Sequence, residues 1–140
     1  MDIRLKTNAK EVEAALKKKG KDVNQSLKRA LSITAQQGIN IIEDRTESGV
    51  GFKGGAFKGY SEKYAKFRAK KGRGKNVDLQ FTGRMLGSMT SKADRKKATI
   101  FFTRAEEAKK AAMNNKTRPF FGFNEQEERQ LAKVFFRYIK

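Results

Sequence analysis

Three carboxylates cluster at Glu43, Asp44 and Glu47. Hard oxygen ligands of this kind could bind Mg²⁺, and with it support phosphodiester hydrolysis. A nuclease, however, needs carboxylates that converge from different elements. These three sit beside Arg45 at the end of one helical stretch, the usual pattern of a solvated face. Asp78 and Asp94 lie in a basic region, and nothing in the sequence pairs them. The run GVGFKGG (49–55) has the glycines of a phosphate-cradling loop. It lacks the preceding strand, the following helix and the Lys-Ser/Thr ending that such a loop requires. The run KFRAKKGRGK (66–75) carries Lys66, Arg68, Lys70, Lys71, Arg73 and Lys75. It is read either as a solvated charge run or as a contact to DNA or to an acidic neighbouring subunit. Nearby aromatics, Phe52, Phe57, Tyr60, Tyr64 and Phe67, could add base stacking to that charge. No helix-turn-helix, zinc-finger or RNP pattern accompanies them, so sequence-specific recognition is not expected.

Absent residue types narrow the chemistry further. With no Cys there is no disulfide, thiolate metal site or thiol nucleophile, and with no His the commonest general base is missing. The expectation is a chain that is not an enzyme and holds no cofactor and no metal. Net charge is +18, and residues 51–104, with 15 basic and 3 acidic side chains, supply +12 of it. Such a chain favours polyanions or acidic proteins. No apolar run is long enough to span a membrane, and MDIRLKTN lacks the apolar core of a signal peptide. No membrane contact is expected, and an intracellular site of synthesis is.

The elements that must position these residues start with a long helix over 22–46. Val23, Leu27, Ala30, Leu31, Thr34, Gly38, Ile41 and Ile42 form one stripe at steps of three and four. Asp22 is placed as its N-cap. Before it, 2–7 alternate as a short strand, and 9–18 read as a short helix ended by Gly20. Residues 47–60 hold five glycines and three aromatics and are expected to be a mobile loop whose aromatics dock on the domain or on a partner. Ser61 caps a helix over 62–70 with Tyr64, Ala65 and Phe67 as its apolar positions, ending in a basic tip at about 70–76. Val77, Leu79 and Phe81 alternate as a strand would; Arg84–Ser88 make one helical turn facing Met85 and Leu86 inward. A hairpin follows over 89–93 and 98–103, then a helix over 105–113 and a loop over 114–118. Asn124 and Glu127 suit a capping box for a last helix with Leu131, Val134, Phe135 and Tyr138 inward. The fold class is α+β, in a single domain over 1–140: a small antiparallel sheet packed on the long helix, with a C-terminal helix closing the core.

Three landmarks in order add a resemblance. They are INIIEDRT with the glycine-rich loop after it, YSEKYAKFRAKKG with LQFTGRMLGSM, and TRPFFGFNEQEERQLAKV. Together, over roughly 30–135, they resemble the tailed-phage virion-morphogenesis proteins, the tail-completion and neck proteins related to the Mu-type morphogenesis protein. The matching positions are Arg45, Thr46, Ser61, Tyr64, Leu79, Thr82, Gly83, Leu86, Ser88, Arg118, Pro119, Phe120 and Gly122. One departure is AEEAKKAAMNNKT, which stands where family members often carry a His-Gln-x-Gly-like stretch.

The resemblance implies a structural virion protein in the neck or at the tail end, acting in tail completion and head–tail joining. It implies a homo-oligomeric ring, sixfold favoured, that touches neighbouring neck, tail-terminator or tail-tube proteins and packaged DNA. The location implied is the virion, with host cytoplasm during assembly. Phe52, Phe57, Tyr60, Arg118, Pro119 and Phe120 are then the interface candidates, and removal of 49–58 is expected to leave the fold intact while abolishing joining. The alternatives are a non-specific nucleic-acid-binding protein and, against the missing His and Cys, a nuclease.

Overall fold

A computed structural model describes residues 2–3, 14, 17, 23–74, 76–80 and 82–139. The elements are β1 (Asp2–Ile3), α1 (Val23–Glu47), α2 (Glu62–Lys70), α3 (Arg84–Gly87), β2 (Met89–Ala93), β3 (Ala98–Phe102), α4 (Ala105–Thr117) and α5 (Glu125–Tyr138). The fold is α+β: a small antiparallel sheet with the long helix and a C-terminal helix. Asp22, the rest of the 2–7 strand and most of the expected 9–18 helix lie outside the described residues.

Two compact units share the chain. The first comprises Met1–Ile39, Thr90–Phe101 and Glu125–Lys140; the second comprises Asn40–Met89 and Phe102–Asn124. In the first, the sheet order is β1-β3-β2, with Asp2 opposite Thr99 and Ile3 opposite Ala98. The hairpin closes through Asp94, whose N–H donates to Lys97 O at 2.9 Å. Its carboxylate accepts from the N–H groups of Lys96 and Lys97. Those two backbone donors, together with the lysine charges, hold the Asp94 carboxyl below the ordinary aspartate range.

The core of this unit takes Ala30, Leu31 and Thr34 from the expected α1 stripe, adds Ala35 and Ile39, which that stripe did not include, and is completed by Ala98 and Ile100 of β3 and Leu131, Phe135 and Ile139 near the C-terminus. The buried line of α5 runs in steps of four, so Ile139 is inside. Tyr138, expected inward, is exposed, which leaves its polar tip in water. Phe101 is exposed, with the Lys92 ammonium 5.6 Å from its ring centre.

In the second unit the end of α1 buries Ile42 and Thr46, while the turn α3 buries Met85 and Leu86 and packs on α4. Helix α4 runs to Thr117, through residues expected to be loop. Asn114 explains the extension: its side chain donates to Lys110 O at 2.9 Å, and its own carbonyl accepts from Arg118 N at 2.7 Å.

The expected strand at 77–81 does not form over the described residues 77–80. Leu79 is buried with φ 57. The backbone groups that a sheet neighbour would pair are taken by side chains. Leu79 N–H donates to Tyr60 Oη at 3.1 Å, and Gln80 O accepts from Arg68 at 2.7 Å.

Candidate functional site

The second unit gathers most of the residues singled out in the sequence, and it begins where α1 ends. Arg45 donates from one terminal nitrogen to Phe120 O at 2.6 Å and Gly122 O at 2.9 Å. Phe52 N–H donates to Pro119 O at 3.1 Å. The Phe52 ring lies so close over Gly122 that a Cβ there would stand 2.5 Å from Phe52 Cε1. The glycine-rich stretch folds back on itself through the Val50–Ala56 bridge and the bond from Phe57 N–H to Gly49 O. Phe57 and Phe120 are buried, Phe52 and Pro119 half-buried. Arg118 closes the cluster, donating to Lys58 O at 2.7 Å and Gly59 O at 3.0 Å, with its guanidinium 5.0 Å from the Tyr60 ring centre. Phe57 and Phe120 therefore spend their apolar area inside the unit. The expectation that 49–58 can be removed without touching the fold is corrected: Phe57 and these backbone bonds would go with it.

Arg68 is likewise corrected as a surface contact, because it is 2% exposed. It donates to Gln80 O, to Asp78 Oδ1 at 3.3 Å and to Gly74 O at 3.5 Å. Its guanidinium lies 4.8 Å from the Tyr60 ring centre. Burial pushes the Tyr60 phenol above the ordinary tyrosine range, opposed by the Leu79 N–H and the Arg68 charge. Arg68 thus ties the chain after α2 back onto that helix. Of the other basic candidates, Lys66 is exposed and paired with Glu62 at 3.4 Å, and Lys70, Lys71 and Arg73 are exposed. Lys75 lies outside the described residues.

Beside this cluster opens a cleft of about 570 Å³. Helix α2 and the residues before it supply Tyr60, Tyr64 and Phe67; α4 supplies Glu107, Lys110 and Asn114. Leu79 and Met85 also line it, with Arg84 and Arg118. Ser61 starts this wall by accepting from Tyr64 N–H at 3.2 Å, the capping bond expected of it. Tyr60 meets Tyr64 edge-on at 5.0 Å, and Tyr64 stacks on Phe67 at 6.2 Å. Tyr64 is 37% exposed and Phe67 45%. The apolar positions of α2 thus line an open surface, not a core. Glu107 is buried, with Lys110 Nζ 3.3 Å away. Arg84, Lys110 and Asn114 were not singled out in the sequence, because the spacing within one turn, helix or loop says nothing of which side faces a cleft.

The arrangement suits binding. Glu43 is crowded by Glu47 and Asp44, and burial first, then these charges, raises its pKa above the ordinary glutamate range. Among the described residues no group of three or more acidic side chains is placed to hold a metal ion. No helix among them is long and apolar enough to cross a membrane. Comparison with protein-family models, curated proteins and solved structures finds no match. The family resemblance therefore rests on the motif residues themselves.

Proposed function

We propose that this chain is a structural virion protein of a tailed phage, built into the neck or the tail end, where it serves tail completion and head–tail joining. In this reading it is no enzyme and needs no cofactor. Copies form a ring, sixfold favoured, against neighbouring neck, tail-terminator or tail-tube proteins. The excess positive charge faces acidic neighbours or packaged DNA. The protein resides in the virion, and in host cytoplasm during assembly.

One observation carries the reading. Residues that bear the resemblance, up to 77 positions apart in sequence, share hydrogen bonds and packing. Arg45 holds the carbonyls of Phe120 and Gly122, Pro119 accepts from the glycine-rich loop, and Arg118 clamps that loop. This convergence supports taking the landmarks as one set. The test is a phage whose gene for this chain is interrupted. Heads and tails should accumulate unjoined, and peptides of the chain should appear in purified wild-type virions. Infectious particles made without the chain would overturn the proposal.

A second reading, non-specific binding of nucleic acid, is favoured by exposed Tyr64 and Phe67 beside exposed Lys70 and Lys71. Binding of the isolated chain to an oligothymidylate, with a steep fall as salt rises, would move the assignment there.

A further inference from the structure

A ring of identical subunits needs two different surfaces on each copy, one complementary to the other. At net +18 that is demanding, because most surface pairs would repel. Many described carboxylates are also engaged at home. Glu62 pairs with Lys66, Asp78 with Arg68 and Glu107 with Lys110. Glu47 accepts from Gln80, and Asp94 from its own hairpin turn. Residues 119–128, PFFGFNEQEE, carry Glu125, Glu127 and Glu128 and no Lys or Arg. Glu125 and Glu128 are exposed. The contact of Glu125 with Arg129, at 3.5 Å, is open to solvent on both sides, so exchanging that partner for another cation costs little.

The cleft of the second unit offers the complement. Arg84 is exposed at its edge, Lys110 keeps most of its side chain in water, and Tyr64 and Phe67 present ring area that nothing in the unit covers fully. We propose that this cleft receives the acidic first turn of the C-terminal helix, Glu125–Glu128, from a second copy of the chain. The carboxylates meet Arg84, and the rings of Tyr64 and Phe67 are covered by the arriving chain. This inference rests on the ring reading and names its contact.

A nucleic-acid strand fits the same cleft less well. The buried Glu107 carboxylate sits in its wall and already uses Lys110. Arg118 spends its donors on the carbonyls of Lys58 and Gly59. What remains suits one or two carboxylates better than a row of phosphates.

The test is charge reversal read by sedimentation velocity at physiological ionic strength over rising protein concentration. The wild-type chain should self-associate. Arg84→Glu should weaken association at least about tenfold, and Glu125→Lys with Glu128→Lys should do the same. All three changes in one chain should restore association, because acid and base have simply exchanged sides. A mixture of the two weakened variants should also associate. Circular dichroism melts establish that each variant folds, and Tyr64→Ser serves as a second cleft variant should Arg84→Glu fail to fold. A wild-type chain that stays monomeric at millimolar concentration overturns the proposal, as does a failure of the combined variant to recover. So does an oligothymidylate that needs Arg84 for binding while self-association ignores Arg84. The two readings part cleanly in phage assembly. If joining needs the chain but not Arg84 or Glu125, the docking fails and the virion role stands. If the charge swap rescues association but joining never needed the chain, the virion role fails and the docking stands.

Discussion

The glycine-rich loop over 48–60 and helix α2 follow one another in the chain and use their aromatic side chains in opposite ways. In the loop, Phe57 is buried, and Phe52 presses on Gly122. In the helix, Tyr64 and Phe67 fall at regular helical spacing, yet both remain exposed. Glycine explains the first case. A residue without Cβ lets an aromatic ring or a carbonyl come within a distance that any other residue would block, so a loop rich in glycine can be tightly packed. The second case shows the limit of periodicity. It says which side chains share a face, and nothing about whether another element covers that face.

The largest test of this contrast is Phe57→Ala. Truncating a buried phenylalanine costs about 3–5 kcal/mol, so chemical denaturation should show a loss of that order. Deleting 49–58 should unfold the second unit outright. A loss below about 1 kcal/mol for Phe57→Ala would mean that the loop is loosely held after all.

Arg68→Met comes next, at about 2 kcal/mol, because buried, charge-assisted hydrogen bonds are lost and the half-buried Asp78 is left without its cation. A second readout separates this from general loss of packing. The Arg68 charge favours the Tyr60 phenolate, so its removal should move the Tyr60 titration further up, followed by ultraviolet absorbance. The sign for stability follows. The folded phenol ionises above the ordinary tyrosine range, so its contribution is full at any pH below that range. It is lost as pH rises through the folded value, because the unfolded chain releases its proton first.

Gly122→Ala should cost about 1–3 kcal/mol, since the new methyl meets the Phe52 ring and one of the two must shift. The chain carries its own control in Gly87, where an added Cβ meets nothing within 4 Å. Gly87→Ala should leave the loop packing untouched.

Much of this was legible in the sequence. The middle of the α1 stripe, the Ser61 cap, the inward Met85 and Leu86, and the hairpin at 89–93 and 98–103 all follow from local spacing and capping chemistry, which act within a few residues; Ala35 and Ile39, also buried on α1, were missed. What was not legible depends on distant partners. Nothing around Val77–Gln80 announces that Arg68 and Tyr60 will take its backbone bonds and hold Leu79 at φ 57. The burial of Arg68 was hidden for the same reason: in KFRAKKGRGK it looks like its neighbours, and only Asp78 and Gln80 distinguish it. The cleft was invisible because it needs α2, α3 and α4 together.

The smallest expected effect on stability is the most informative about the exposed face. Tyr64→Ser and Phe67→Ser remove rings that water already reaches, so each should shift stability by no more than about 0.5 kcal/mol. Tyr64 sits at the higher end, through its contacts with Tyr60 and Phe67. A structural role for these rings would show as a loss of several kcal/mol, comparable with Phe57→Ala, and would erase the contrast between helix and loop. A binding role predicts the opposite pattern, a melt close to wild type with self-association weakened. Measuring both quantities on the same two variants decides the matter. A fold can leave its aromatics uncovered at little cost, but a ring assembled through them cannot lose them without coming apart.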